Sequence, residues 1–476
     1  MVSLKILFAA SEALPFIKVG GLGDVTGALP KALVKKGHDV RVVIPLYSSM
    51  KQEMRDQCQY MKCFYFNFGW RSSYCGVFTA LVDGVTYYLI DNEQYFKRPA
   101  PYGEYDDGER FAYFSKAVLE ILPQVDFFPD VIHANDWHTA LVSVYLDTQY
   151  RLIEGYGNIK TVFSIHNIEF QGKYGMEILE NVFGIYKGQA TLLAHDDCIN
   201  LMKGAIECSN AVTTVSRSYA EEILSPYFSH GLDPILNARR YKLSGIVNGI
   251  DTDLFDPATD VHIHTNYTAN TPDNKRFNKR ELQREMGLPE RNDIPLIGMV
   301  TRLTPQKGVD LLEQVMDKLM ESDIQLIVLG TGYPDYENFM RYCEYAHHDK
   351  VRCCIMFSSA LAQKIYAGAD MFLMPSRSEP CGLAQMIALR YGTIPIVHSV
   401  GGLRDTVQPF VASDGTGNGV TFQSFNAYDM LDAIYRAMTV WYDKMQLKTI
   451  LQNGMTGDYS WNTSADEYIR IYESIL

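Results

Sequence analysis

The stretch MFLMPSRSEPCGLAQ, residues 371–385, decides the reading of the whole chain. Its apolar run, residues 371–374, lies between Asp370 and Pro375 as a buried strand would, and residues 383–390 have the composition of a helix. Strand, turn and helix start therefore follow one another directly. In an open α/β sheet that junction lies at the carboxyl end of a strand, where ligands gather, and the helix start offers unpaired N–H groups to an anion. Glu379, Pro380, Cys381, Gly382 and Leu383 occupy it. A carboxylate there either caps the helix or faces a ligand, and its surroundings favour the ligand.

Upstream, residues 294–300 begin an α/β series that continues through helix 309–320, strand 324–329, strand 351–356 and helix 361–369. Strand and helix keep alternating to Thr406. An earlier series starts with strand 4–10, loop 11–23, helix 24–36 and strand 38–45, which is a right-handed βαβ unit. Residues 62–95 alternate aromatic, polar and Gly residues, with Asp83-Gly84 between 78–82 and 85–90, and read as a hairpin insert at the sheet edge. Helix 108–122 and strands 130–134, 160–165, 211–215 and 243–247 complete that half. The turn-rich Asn248-Gly249-Ile250-Asp251 marks the joint, and a polar stretch, 259–280, follows it. The expected fold is α/β, with two Rossmann-like doubly wound domains facing across a cleft. Residues 1–248 form the first domain, 249–455 the second, and 456–476 a C-terminal segment packing back on the first.

Two domains also follow from length, because 476 residues exceed what one core supports. A net charge of −13 excludes nucleic acid or an anionic membrane as the main partner, so any anion site must be built locally. Nine cysteines without a CxxC pair suit neither a disulfide framework nor a zinc site, and point to a reducing cytoplasm. The opening MVSLKILFAASEA has too short an apolar run for a signal peptide and reads as the first strand, and no run reaches membrane-spanning length.

The residues with chemistry sit at strand ends. Lys18 with Gly20 and Gly21 places a cation and an approachable backbone beside a helix start, which suits a phosphate. Asn135-Asp136-Trp137-His138 and His166-Asn167 end neighbouring strands and share a pocket. Arg302 and Lys307 lie on one loop and can clamp a pyrophosphate. Gly330-Thr331-Gly332 and Gly401-Gly402-Leu403 line the same sheet edge. Asp251-Thr252-Asp253 matches a metal-holding DxD pattern, but its place in the joint reads as turn formers and caps. The expectation is no metal and no cofactor, since cations and a helix start already supply the charge.

In sequence order, KVGGLGDV at 18–25, NDWH at 135–138, HN at 166–167, NGID at 248–251, RLTPQKG at 302–308, EPCGL at 379–383 and GGL at 401–403 resemble the bacterial glycogen synthases and plant starch synthases. Ala384 departs from the Thr that family commonly carries after EPCGL. The resemblance implies a GT-B type, retaining glucosyltransferase that moves glucose from ADP-glucose to the non-reducing end of an α-1,4-glucan. It implies catalytic roles for Glu379, His166, Arg302, Lys307 and Asp136. It places Lys18, Gly20, Gly21, Asp24, Asn248, Cys381, Gly382, Leu383 and Thr406 on the donor, and Trp137, His138 and Asn167 on the sugar and acceptor side. Retention by a covalent carboxylate adduct and by front-face attack both remain open, and the resemblance favours the second. An NAD-dependent oxidoreductase is disfavoured because the first loop lacks GxGxxG. A non-catalytic glucan-binding protein leaves the cationic clamp unexplained. A UDP-glucose-dependent glucan synthase or a sucrose-synthase-like enzyme is the nearer alternative.

Overall fold

The computed structural model describes residues 3–476. The chain divides into two compact units, Met1–Gly249 with Trp461–Leu476, and Ile250–Ser460. The return to the first unit thus begins at Trp461, and residues 456–460, expected with the C-terminal segment, belong to the second unit.

In the first unit the strands are β1 (Lys5–Ala9), β2 (Asp39–Pro45), β3 (Gln59–Phe68), β4 (Arg71–Val82), β5 (Val85–Asp91), β6 (Val131–Asn135), β7 (Lys160–Ile165), β8 (Lys173–Tyr174), β9 (Ala194–His195), β10 (Cys198–Asn200), β11 (Ala211–Thr214) and β12 (Leu243–Gly245). Nine of them form one sheet in the order β12-β11-β7-β6-β1-β2-β5-β4-β3, and β8, β10 and β9 make a small second sheet. The large sheet is parallel from β12 to β5, and its strands there are near-continuous apolar runs because both faces are covered. The antiparallel pairs β4·β5 and β3·β4 form the edge insert. Asp83 and Gly84 both take positive φ, as the tight turn between β4 and β5 requires.

The helix Gly21–Lys35 starts three residues earlier than its apolar pattern suggests, so the glycine pair lies at its N-terminus rather than before it. The last helix, Trp461–Ile475, is bound to this unit by Ser464 Oγ donating to Val247 O at 2.5 Å and by ion pairs Lys36–Asp466 and Arg217–Glu467. Tyr472 puts its hydroxyl 2.7 Å from Nδ1 of the fully buried His133.

The second unit carries β13 (Leu296–Val300), β14 (Gln325–Leu329), β15 (Val351–Cys354), β16 (Met371–Met374), β17 (Ile394–His398) and β18 (Val420–Phe422). All six are parallel, in the order β15-β14-β13-β16-β17-β18, which is the doubly wound order with its reversal between β13 and β16. The helix Val309–Met320 buries Val309, Leu312, Met316 and Leu319 against the sheet, one stripe at helical spacing.

The polar stretch 259–280 ends in a helix, Lys275–Glu285, which its composition hides. Two of its lysines point inward. Lys275 Nζ donates to Tyr366 O, Ala367 O, Tyr391 O and Thr393 Oγ1 at 2.7–3.1 Å, and Lys279 pairs with Asp370 at 2.7 Å. The carbonyls around Lys275 end two helices, where a cation is favoured. Among the described residues no helix is long and apolar enough to cross a membrane.

Candidate active site

In the first unit the strand order reverses at β1, so the loops leaving β1 and β6 flank the point where an open α/β sheet collects ligands. The loop after β1 is folded around Glu12. Its buried carboxylate accepts N–H from Val19 and from Gly20, the latter at 3.2 Å, while its carbonyl accepts from Thr26 Oγ1 at 2.5 Å. Burial pushes Glu12 up to about 7 despite those amides. Lys18 is exposed and holds Asp24 at 2.7 Å. Burial raises Asp24 from the usual carboxylate range, and Lys18 opposes that rise. The helix opens at Gly20 without a side-chain cap, and a Cβ on the exposed Gly21 would meet nothing within 4 Å.

After β6, Asp136 adopts φ +56°, a conformation that short polar side chains tolerate best. Its Oδ1 accepts from the amides of His166 at 2.8 Å and Asn167 at 3.4 Å, fastening the end of β6 to the end of β7. Burial pushes Asp136 up to about 7, and the two amides resist. Asn135 Nδ2 donates to Ala9 O and His133 O, both at 3.1 Å, which orients its amide and leaves Oδ1 to accept from His166 Nε2 at 2.9 Å. His166 is therefore protonated on Nε2 and offers a lone pair on Nδ1. Burial pulls it down to about 4, so it is neutral at physiological pH.

Trp137 is half-buried, with its ring 4.2 Å from that of His138. His138 lies inside a cluster with Tyr102 and Phe111, at 4.5 and 4.6 Å, and burial pulls it down to about 3. It braces Trp137 from below rather than facing solvent. Asn167 is half-buried and its Oδ1 accepts from Glu169 N at 3.0 Å. Asn248 is buried, and its Oδ1 has no partner among the described residues.

In the second unit the reversal lies between β13 and β16, and the loops that leave these strands carry Arg302, Lys307 and Glu379. Lys307 Nζ meets Glu379 Oε2 at 2.6 Å, and Ser376 Oγ donates to the same oxygen at 2.9 Å. The loops are also joined through backbone, with Arg377 N donating to Gln306 O at 2.8 Å. Gly308, at φ +74°, is required there because a Cβ would lie 2.0 Å from Pro375 O. Arg302 is exposed, and its guanidinium has no hydrogen bond or ion pair among the described residues. The loop Gly330-Thr331-Gly332 lies on the same segment, with Leu303 N donating to Thr331 O at 2.9 Å.

Gly402 N donates to Glu379 O at 3.1 Å, and a Cβ on Gly402 would fall 2.1 Å from Cys381 O, so the Gly401-Gly402 start of the helix Gly401–Thr406 rests directly on the Glu379 loop. Buried Gln385 donates through Nε2 to Cys381 O, Gly382 O and Thr406 Oγ1, while Thr406 donates to Gly402 O at 2.6 Å. Thr406 and Gln385 therefore form the frame of the loop. Gly382 takes φ +72°, and Leu383 caps the short helix Ala384–Arg390 without a side-chain hydrogen bond. Asp251 Oδ1 accepts from the amides of Asp253 and Leu254 at 3.0 and 3.2 Å, which is a turn cap. Among the described residues no cluster of three or more His, Cys, Asp or Glu side chains has metal-holding geometry.

Two residues missing from the sequence-based set, Glu12 and Gln385, shape these loops, and Asn135, read there only as part of the strand-end cluster, is the hydrogen-bond partner of His166. Asn135 had a signal, since it opens the NDWH run. Glu12 and Gln385 had none, because what marks them is burial against particular backbone amides and carbonyls.

Residues 5–238 match the starch synthase catalytic domain family, and residues 280–450 match glycosyl transferases group 1. A glycogen synthase of Bacillus anthracis is 49% identical over 475 residues, covering 99% of this chain and 100% of the relative. The catalytic domain of starch synthase IV from Arabidopsis thaliana, solved bound to ADP and acarbose, superposes with a TM-score of 0.93 at 35% identity, covering 100% of this chain and 99% of that one. A sucrose-phosphate synthase from Thermosynechococcus elongatus, at TM-score 0.63 and 18% identity over 99% of this chain and 98% of its own, shares the GT-B fold.

Proposed function

The chain belongs to the glycogen and starch synthase family of glycosyltransferases, a family of glucan synthases, and from that premise we propose that it transfers glucose from ADP-glucose to the non-reducing 4-hydroxyl of an α-1,4-glucan with retention. The observation that carries this reading is the Lys307–Glu379–Ser376 contact beside an unpartnered Arg302, at the strand-order reversal of the second unit. Arg302 and Lys307 neutralise the charge that grows on the leaving diphosphate as the C1–O bond breaks, a stabilisation preorganised before the reaction. Amides of Gly382 and Leu383 add the helix start, with Cys381 and Thr406 holding that loop in shape. In the first unit Lys18, Gly20, Gly21 and Asp24 serve the donor, together with the unpaired Oδ1 of Asn248.

Glu379 faces the sugar. Its Oε2 already receives an ammonium and a hydroxyl, which lowers its nucleophilicity and favours front-face attack over a covalent adduct. In that step the C1–O electron pair leaves with the diphosphate, the acceptor O4 bonds to C1 on the same face, and the O4 proton passes to the departing phosphate oxygen. Neutral His166 orients the glucosyl unit through Nδ1, and Asp136 fixes the His166–Asn167 backbone on the acceptor side. Trp137 supplies a sugar platform braced by His138, with Asn167 beside it. No metal or cofactor enters the step. The partners are the nucleotide sugar and the glucan, and cysteines that form no disulfide among the described residues suit a reducing cytoplasm.

The test is release of nucleoside diphosphate from ADP-glucose or UDP-glucose with glycogen as acceptor, with the anomeric configuration of the product read by NMR. ADP release with an α-linked product is expected. Activity with UDP-glucose alone, or a β-linked product, would overturn the donor or the stereochemical assignment.

A further inference from the structure

We propose that Glu12 is the positioning residue of the loop between β1 and the helix Gly21–Lys35, and that an anionic donor arriving at that helix start drives a proton onto its carboxylate. The proposal rests on the reading that a diphosphate binds there, and it adds a residue that reading did not need.

The geometry makes Glu12 the centre of the loop. Its carboxylate takes the amides of Val19 and Gly20, the two residues just before the helix, and its carbonyl is fastened to Thr26 one turn into it. Leu14 N donates to Gly23 O at 3.0 Å, and Gly27 lies so close to Leu14 that a Cβ would stand 2.9 Å from its carbonyl oxygen. The loop is thus folded back on the helix, with Glu12 as an internal anion that uses up two amides and leaves Gly21 bare and exposed. A ligand anion drawn to this glycine pair approaches a buried carboxylate, since a Cβ on the adjoining Gly20 would stand only 3.7 Å from Glu12 Oε1.

Two like charges so close cannot both persist in a poorly solvated site, and the group that can accept a proton does. Glu12 is poised to do so because burial has already brought it to about 7. The other charges that bear on it are Asp24 and Asp136, which raise it further, while Lys18 is engaged with Asp24. Tyr102 and Tyr47 lie near and stay neutral, since burial raises both hydroxyls. Asp136, also near 7, is the competing proton acceptor, and two backbone N–H groups favour its ionised form. A Glu12 that has gained its proton still accepts N–H through its carbonyl oxygen, so the loop keeps its shape. The sign follows: ionised Glu12 opposes the donor above about pH 7, and this opposition fades as pH falls.

The experiment is calorimetric titration of ADP into the whole protein in buffers of different ionisation enthalpy at pH 7.5, for wild type, Glu12→Gln, Glu12→Ala and Asp136→Asn. Wild type is expected to take up about half a proton on binding. Glu12→Gln, a permanently neutral acceptor of the same shape, should bind at least as tightly and take up none. Glu12→Ala, without the clamp, should bind roughly tenfold more weakly. Proton uptake that persists in Glu12→Gln and vanishes in Asp136→Asn would overturn the assignment. So would a folded Glu12→Ala that binds within twofold of wild type, and should that variant not fold, the proton count of Glu12→Gln decides alone. Wild type that binds no ADP would instead refute the donor reading itself.

Discussion

The loop after β1 and the loop after β13 hold corresponding places in the two units, each leaving the strand where sheet order reverses, yet they are built on opposite principles. The first satisfies its own charges: Lys18 is bound by Asp24, and Glu12 fills two amides of the loop it belongs to. The second leaves charge unspent, with an exposed Arg302 and with Lys307 held to Glu379 of a neighbouring loop. Their glycines differ in the same sense. Gly308 is forced by the backbone of Pro375, whereas Gly21 stands in open space that no fold requires. Under the proposed function the first loop admits a ligand closely and the second neutralises one.

The largest effects are expected where charge is unspent. Arg302→Ala and Lys307→Ala should each lower kcat about 10²- to 10³-fold, the scale of one preorganised transition-state contact. Arg302→Ala should leave the Tm unchanged because the side chain is exposed and unpaired, while Lys307→Ala should lower it by stranding buried Glu379. Initial rates beside thermal melts decide this. Rates within twofold of wild type would remove the functional half of the contrast.

Next comes the glycine pair, which separates fold from ligand. Gly308→Ala should destabilise by about 2 kcal/mol or more, from a left-handed φ and the contact with Pro375 O. Gly21→Ala should melt at or slightly above the wild-type temperature, since nothing meets its Cβ and alanine suits a helix start. Its KM for the donor should nonetheless rise about tenfold, the loss of one close contact. A Gly21→Ala enzyme with unaltered KM would mean that the open space is not where the donor lies.

The smallest expected effect is none. Dialysis against excess EDTA should leave the rate as it was, because the cations of the second loop already supply the charge a metal would bring. Activity lost to EDTA and restored by Mg²⁺ or Mn²⁺ would show the second loop to be insufficient for that task.

Much of this architecture was legible because it is written in local pattern. Apolar runs ending in polar motifs located β1, β2, β6, β7 and β11 to β16, and Asp83-Gly84 announced its turn, whereas the short β8, β9, β10 and β18 left no such run. The candidate residues were legible as strand-end positions, the places where ligands gather in such sheets. What those residues do to one another was not. That Lys307 reaches Glu379, 72 positions away, depends on β13 and β16 being neighbours, a tertiary fact. The helix Lys275–Glu285 escaped for a different reason: a lysine scores as exposed in any composition rule, and here Lys275 is buried by carbonyls that only the folded chain brings together.

The helix Trp461–Ile475 has a consequence for the order in which the molecule can be finished. During synthesis β6 and His133 emerge long before Tyr472, the residue that satisfies His133 Nδ1. The second unit, made from one unbroken stretch, has all its residues once Ser460 is joined, while the first still lacks its last helix. The half that is begun first is therefore completed last. Until then the sheet that carries Asp136 and His166 stands with the surface beneath Tyr468 and Tyr472 uncovered.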